Sequence, residues 1–491
     1  MRQPTSYVDW DGDLRFIGSD DDRVVCIGRV ADCRIRIGRA ARRLSRYLAV
    51  VALLLGVSPA PADEPAPTMP VLMWESLPDL PDPIGFGGPV VGVHDGVLIV
   101  AGGANFPGDP PWSVDGRPPG HKVWYDGVIA LVSRPGPKAD EPSVIEWKHA
   151  GALPFPLAYS ATVSTADGVY VLGGETYGKA PASEGAGAET NHPTDEVLLL
   201  RWDPSSQSVE VLRDALPRLP RPCQYHAADR IGDCLFVAAS HGQSSDSRNL
   251  DSKSFWMIDL SQPSGDRKWN SLPAWPGPAR EKMALVAQSS SPVGAADSAP
   301  TDFPRSLYLI GGSTWATHAD GTPDDAHATH FADGYQFDLQ AQTWSRIPDL
   351  PWVSEHRQVD LPDYRWDERS VSWLTAPGVS APTSGQLDKL FRARGRPVGA
   401  APAIAWGDRY LIIFSGATGR FVTLPVQLRP EFPRDVLCFD TLTQRWSAIG
   451  QLPSGVVTTT AVRWGRKIVI PSGETRPGVR TPAVQAATVE P

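Results

Sequence analysis

The sequence predicts an all-β fold in which six four-stranded units close into a ring, and three observations carry that prediction. Short apolar strands ending in two small residues recur along the chain, and a tryptophan followed by Leu-Pro recurs behind them. Glycine and proline together make up 94 of 491 residues, about 19%, against roughly 12% in ordinary proteins. A chain so dense in turn formers is not built from long helices. Length alone suggests about three domains at roughly 150 residues each, but repeat folds exceed that prior. Collagen is excluded because glycine has no three-residue period. Wholesale disorder is excluded by a hydrophobic content of 41%.

The clearest repeats are Val97-Leu-Ile-Val-Ala-Gly-Gly103, Val169-Tyr-Val-Leu-Gly-Gly174 and Leu307-Tyr-Leu-Ile-Gly-Gly312. Leu235 to Ser240, Tyr410 to Gly416 and Ile468 to Gly473 are weaker copies, which brings the number of units to six. Third strands carry an acidic mark, as in Asp195 to Leu200, Phe255 to Asp259 and Asp435 to Asp440. Fourth strands carry Trp74, Trp147, Trp269, Trp344 or Trp446, and Val209 to Leu212 takes that place without a tryptophan. Four short strands per unit, with a small pair and a Trp, is the pattern of a six-bladed kelch-type β-propeller. One twisted blade cannot bury both faces, so each packs on its neighbours. An open β-sandwich also uses short strands and turns, but it does not repeat these marks six times.

The ends predict how the ring closes. Met73 to Leu77 reads as a fourth strand before any first strand exists. Val456 to Val462, Lys467 to Pro471 and Val479 to Val484 read as first, second and third strands with no fourth. The last blade is therefore expected to combine the N-terminal strand with C-terminal ones, which removes a free edge. On this reading the propeller occupies 73–486, with 351–397 a non-repeating insertion between blades four and five that holds a short helix at Gln386 to Arg394.

Residues 1–62 read differently. Six arginines between Arg34 and Arg46 precede the apolar run Tyr47 to Val57, and Ala60 and Ala62 follow. That order is a secretory signal peptide, and eleven apolar residues are too few for a bilayer, which takes about twenty. A buried helix or a membrane anchor is the competing reading. Met1 to Cys33 lies ahead of the basic segment, as a long n-region or a misplaced translation start. Export predicts a secreted or periplasmic protein with no stable span in its mature form. Loss of 1–62 removes ten Arg and seven Asp, so the net charge of −9 becomes −12. Such an acidic balance argues against nucleic acid as a partner. Five cysteines are too few for a disulfide scaffold, and no bridge between Cys223 and Cys234 is expected.

Loops after the second strands converge at one end of a propeller axis, where several blades contribute side chains. In order they carry Asn105, Glu175, His241, Trp315, Arg420 and Glu474. Glu175 and Glu474 directly follow Gly-Gly or Ser-Gly, and the Pro477-Gly478 turn is expected to fold Arg480 back toward Glu474. A carboxylate facing a guanidinium in a concave site binds a sugar acid or moves a proton; it also serves as a structural ion pair. Both readings stand on spacing. His226 and His241 read as blade-loop residues, and without a third ligand nearby no metal is expected.

The segment Ser472-Gly-Glu-Thr-Arg-Pro-Gly-Val-Arg-Thr481 resembles the Gly-Glu-x-x-Pro-Gly-x-Arg-Thr motif of the N-acetylneuraminate epimerases, or sialic acid mutarotases. Gly85 to Val93, Ile99 to Pro107 and Ala158 to Thr176 resemble other blades of that family. In the bacterial epimerases the Pro-Gly-x-Arg element precedes the Ala-Gly-Gly-Ala element. Here it comes last, as in the cyclically permuted mutarotase relatives. The resemblance covers most of 73–485 and fails over 351–397.

The resemblance implies an isomerase that needs no cofactor and interconverts the α and β anomers of N-acetylneuraminate through its open-chain form. It makes Glu474 the candidate general base and Arg480 its partner, holding the substrate carboxylate or a developing oxyanion. Arg280, Asn105, Lys122, Tyr159 and Glu175 are secondary candidates for binding the sugar acid. Arg280 also reads as a surface residue at a strand start, and Tyr159 as a packed blade aromatic. The third unit departs from the pattern with Ala238-Ala-Ser-His-Gly242. A propeller that only binds a protein or carbohydrate is the rival from another class. Sialidases are disfavoured because Ser-x-Asp-x-Gly-x-x-Trp turns are absent, and a copper radical oxidase has only Cys223…Tyr225 in its support.

Overall fold

Alternating apolar residues give each unit four antiparallel strands, and the six sheets form a β-propeller. The computed structural model describes residues 69–490 apart from 115–116, 135–143, 180–188, 243–249, 289–305, 318–322, 354–394 and 423–425. The expected signal peptide and nearly all of the expected insertion, with its helix, lie outside the described residues. Blade 1 comprises Val90–His94, Val97–Ala101, Gly127–Arg134 and Val144–Ala152. Blade 2 comprises Ala161–Thr165, Gly168–Lys179, Glu189–Asp203 and Ser208–Arg213. Blades 3 to 5 follow the same order, beginning at Ala227–Ile231, Ala284–Gln288 and Ala403–Trp406. Among the described residues no helix is long and apolar enough to cross a membrane.

Blade 6 joins the two ends of the propeller. Its inner strands are Val462–Trp464, Lys467–Pro471 and Val484–Glu490, and its outer strand is Val71–Leu77. The register runs without interruption from Val71 opposite Glu490 to Leu77 opposite Val484. The expected third strand at Val479 to Val484 is corrected: Glu474–Arg476 and Val479–Arg480 pair with each other across the Pro477-Gly478 turn, so the blade strand begins only after Pro482. The first strand likewise starts at Val462 rather than at Val456.

The core is six wedges rather than one central mass. Each main apolar cluster sits between two neighbouring blades; Val90, Ile99 and Val128 of blade 1, for instance, meet Val169, Val171 and Leu198 of blade 2. The cluster of Leu77, Val469 and Val484 with Val91, Leu98 and Leu131 seals blade 6 to blade 1.

The recurring tryptophan and Leu-Pro act together at the outer rim. The indoles of Trp147, Trp269, Trp344 and Trp446 donate to the carbonyls of Pro78, Pro217, Pro273 and Pro348, at 2.8, 3.0, 2.7 and 2.8 Å. Each proline lies just beyond the outer strand of the preceding blade, so the pair latches adjacent blades at about 1 kcal/mol per bond. The small pairs do the same near the axis. Gly103, Gly174, Gly312 and Gly473 turn their N–H groups to Leu157, Cys223, Val398 and Phe86 of the next blade. In blade 3 the strand runs straight on through Ala239, and the Ser240 hydroxyl accepts from Arg280 N instead.

Candidate functional site

Six residues, one ahead of each first strand, meet across the axis. Tyr159 N donates to Gly88 O, Tyr225 N to Tyr159 O, and Lys282 N to Tyr225 O. Ala400 N then donates to Lys282 O, Thr458 N to Ala400 O, and Gly88 N to Thr458 O, which closes a head-to-tail ring with bonds of 2.7 to 3.0 Å. All six have left-handed backbones, with φ between 51° and 63°. Outside glycine that conformation is uncommon and strained, and here the closed set of hydrogen bonds holds it. Gly88 has a second reason to lack a side chain, because a Cβ there would overlap the Tyr159 ring.

The ring sets side chains of blades 2, 3, 4 and 6 around the axis and separates two cavities. One, about 630 Å³, is lined by the first strands and holds Asp229, Arg230, Arg463 and many alanines. His226 borders it, with burial pushing its pKa down to about 3, while His241 meets Ser254 at 3.1 Å. The other, about 220 Å³, is lined by Lys282, Ala400 and Thr458 of the ring and by the loops beyond the second strands, including Glu474.

Glu474 is held from three sides. Arg480 Nη1 lies 3.3 Å from Oε2, Gly478 N donates to Oε2 at 3.2 Å, and Thr458 Oγ1 donates to Oε1 at 3.1 Å. The Pro-Gly turn places Glu474 and Arg480 opposite each other in a two-stranded hairpin, as the spacing predicts. Arg480 is only 5% exposed; it donates to Ala104 O at 3.3 Å, reaches the Tyr159 hydroxyl at 3.4 Å and lies 4.9 Å from the Phe106 ring. Burial pulls its pKa down, but Glu474 and Tyr159 outweigh that, and the net shift is upward. Gly87 leaves room for the pair: a Cβ there would stand 3.1 Å from Arg480 Nε and 3.2 Å from Glu474 Oε1.

Lys122, Tyr159 and Glu175 continue the same cluster. Lys122 Nζ lies 4.3 Å from the centre of the Tyr159 ring and 2.8 Å from Glu175 Oε1. Glu175 also accepts from Trp124 Nε1 at 2.8 Å and Asn191 Nδ2 at 3.3 Å, and is 3% exposed. The Tyr225 ring packs at a tilt against Tyr159, with centroids 4.3 Å apart; burial first, then Glu175 and Tyr159, raise its phenol well above the usual value.

Two expectations are corrected. Arg280 is neither a surface residue nor part of this cluster. It is fully buried, forks onto Asp333 at 2.5 and 3.1 Å, donates to Gly311 O and lies on the Phe331 ring. Burial tends to raise the Asp333 pKa, yet the Arg280 bonds lower it overall. Asn105 is also fully buried, donating to Gly85 O at 3.0 Å and accepting from Tyr125 Oη at 2.8 Å. Both brace loops.

Sequence reasoning missed Thr458, Gly87, Tyr225 and Lys282. Aligning Tyr159-Ser-Ala161, Tyr225-His-Ala227 and Lys282-Met-Ala284 by their first strands would have found three ring positions. Among the described residues no group of His, Cys, Asp and Glu is placed to hold a metal ion.

No protein-family model matches the chain. The N-acetylneuraminate epimerase of Haemophilus influenzae (strain 86-028NP) is 33% identical over 116 residues, covering 22% of this chain and 28% of that protein. The N-acetylneuraminate epimerase of Yersinia pestis (strain Pestoides F) is 35% identical over 122 residues, 22% of this chain and 27% of that one. The matches thus span about a quarter of the length of these relatives. The solved structure of YjhT aligns with 84% of this chain and 99% of its own, at 13% identity and a TM-score of 0.46. The chain is a six-bladed propeller related in sequence, over about a fifth of its length, to the N-acetylneuraminate epimerases.

Proposed function

We propose that the protein is an exported mutarotase that interconverts the α and β anomers of N-acetylneuraminate or a closely related sugar acid. The observation that carries this reading is Glu474, a carboxylate on the wall of a cavity and fixed by Arg480, Thr458 and Gly478. Opening a pyranose ring requires a base to take the proton of the anomeric hydroxyl while the ring oxygen gains one. Closing it on the other face reverses both transfers. Glu474 is the group for the first transfer, because a fixed carboxylate is positioned for general-base work. Arg480 orients that carboxylate, and a guanidinium does not give up its own proton. Water supplies the proton to the ring oxygen.

Similarity to proteins named N-acetylneuraminate epimerase supports the substrate class. The basic segment and apolar run within residues 1–62 support export. The test is proton NMR of freshly released α-N-acetylneuraminate with the purified protein. The β-anomer signal is expected to rise faster than in buffer, and an unchanged rate overturns the reading.

A further inference from the structure

A phenol oxygen accepts hydrogen bonds and gives one, so the partners of a buried tyrosine hydroxyl show which of these is still open. Tyr159 is 6% exposed, and cations approach its phenol. Arg480 Nη2 donates to Oη at 3.4 Å, and Lys122 Nζ stands over the same ring, 4.3 Å from its centre. That ammonium is itself held by Glu175 Oε1 at 2.8 Å. The Tyr159 oxygen thus accepts, and among the described residues nothing accepts its own O–H.

The fold fixes where this O–H sits. Tyr159 has φ 55°, is bonded head to tail into the axial ring, and fits beside Gly88 because that residue has no side chain. Its ring packs on Tyr225, and Lys282, paired with Glu281 at 3.3 Å, lies 4.7 Å from the centre of the Tyr225 ring. Lys122, Tyr159, Tyr225 and Lys282 therefore form one stacked row. Both lysines are partly exposed and Tyr225 is half-buried, so the row borders solvent. Glu474 joins it through Arg480, whose Nη1 lies 3.3 Å from Oε2 while Nη2 reaches Tyr159. One guanidinium sets a carboxylate and a phenol side by side.

We propose that Tyr159 is a catalytic residue of the mutarotation, its O–H donating to the ring oxygen of the sugar while Glu474 takes the proton of the anomeric hydroxyl. This rests on the proposed function and adds the electrophilic half of the site. The two oxygens of a hemiacetal stand on one carbon, and the two groups that meet them stand on one guanidinium. On opening, the bond from the anomeric carbon to the ring oxygen breaks, and its electron pair goes to that oxygen. The carbonyl forms as the hydroxyl proton passes to Glu474. Tyr159 stabilises the charge gathering on the ring oxygen until water protonates it, and the proton on Glu474 then restores the water. Donation from Arg480 into the phenol oxygen polarises the O–H and strengthens it as a donor.

Tyr159→Phe removes the hydroxyl and keeps the ring that packs beside Gly88 and Tyr225. In the mutarotation assay kcat is expected to fall about 10²-fold with KM within about twofold, because the charge on the ring oxygen exists only in the transition state. The methyl α-glycoside of N-acetylneuraminate has a locked anomeric centre, and calorimetry should give it the same affinity for both proteins. Placing 3-fluorotyrosine at 159 separates a donor from a brace. A more acidic phenol is a stronger donor to the sugar and a weaker acceptor for Arg480, so the rate should rise in the first case and fall in the second. Full kcat in Tyr159→Phe, a fall with 3-fluorotyrosine, or a loss carried by KM and glycoside affinity overturns the role of Tyr159 and leaves the proposed activity standing. A wild-type protein that does not accelerate mutarotation overturns the proposed activity, and this role with it.

Discussion

Blades 2 and 6 place a carboxylate at the same point and surround it differently. Glu175 and Glu474 each follow a small-residue pair, and each sits one strand bridge from the segment before the first strand, Glu175 opposite Ala158 and Glu474 opposite Val457. Each has a cation within 3.3 Å. Glu175 adds an indole and an amide donor and is 3% exposed, whereas Glu474 is 13% exposed and lines a cavity. Equivalent positions in a repeat thus carry equal backbone geometry and unequal chemistry. What separates them is the third donor: an immobile indole closes off Glu175, while the Thr458 hydroxyl and the Gly478 amide leave Glu474 an open side.

The largest effect expected from this contrast is at Glu474. Glu474→Gln keeps shape and removes the proposed base, so the proposed mutarotation rate should fall about 10²- to 10⁴-fold. Circular dichroism and the melting temperature should stay near wild type. Retained activity would transfer the base to another group and erase the distinction between the two blades.

Glu175→Ala should act in the opposite register. It leaves the half-buried Lys122 ammonium without its carboxylate and the Trp124 N–H without its acceptor, at a cost of about 2 kcal/mol in denaturant unfolding. Activity in the folded fraction should drop far less than in Glu474→Gln. If turnover vanishes while stability is unchanged, Glu175 is the chemical group and Glu474 the brace.

Gly87→Ala probes the finer spacing. Its backbone conformation suits alanine, but the new methyl would press on both members of the Glu474–Arg480 pair. The surrounding backbone stays in place while the Glu474 carboxylate moves by tenths of an ångström. A rate loss of about tenfold with little change in melting is expected, because small misplacements of a reacting group carry large rate penalties. The same activity as wild type would show that the pair tolerates displacement and that its geometry is not what matters.

How much of this was legible in the sequence follows from what each feature depends on. The blades were legible because most wedges repeat the small pair, the tryptophan and Leu-Pro, and those marks act locally at blade joints. The Glu474–Arg480 pair was legible because a Pro-Gly turn spans the short gap between them. Arg280 was misread because its partner Asp333 lies in a loop 53 residues away, with no sequence sign of the encounter. The axial ring was invisible for another reason. Left-handed residues are usually sought at glycine, and here Tyr159, Tyr225, Lys282, Ala400 and Thr458 adopt that conformation because hydrogen bonds from neighbouring blades impose it.

The smallest effect lies in the pH dependence of the blade 2 corner. Burial lowers the Lys122 pKa, but Tyr159 and Glu175 outweigh it, so the folded value stands above the ordinary 10.5. A raised folded pKa means the native state binds the proton more tightly than the unfolded chain does. The stabilisation is therefore fully present below about pH 10.5 and is lost as the pH rises through the folded value. Stability measured by denaturant between pH 9 and roughly 12 should decline for the wild type. Glu175→Gln removes one of the two groups that raise Lys122, so its decline should be shallower even though its stability at neutral pH is lower. Parallel curves for the two proteins would mean that Lys122 does not sense Glu175, and the blade 2 corner would then lose the ion pair that distinguishes it from the Glu474 corner.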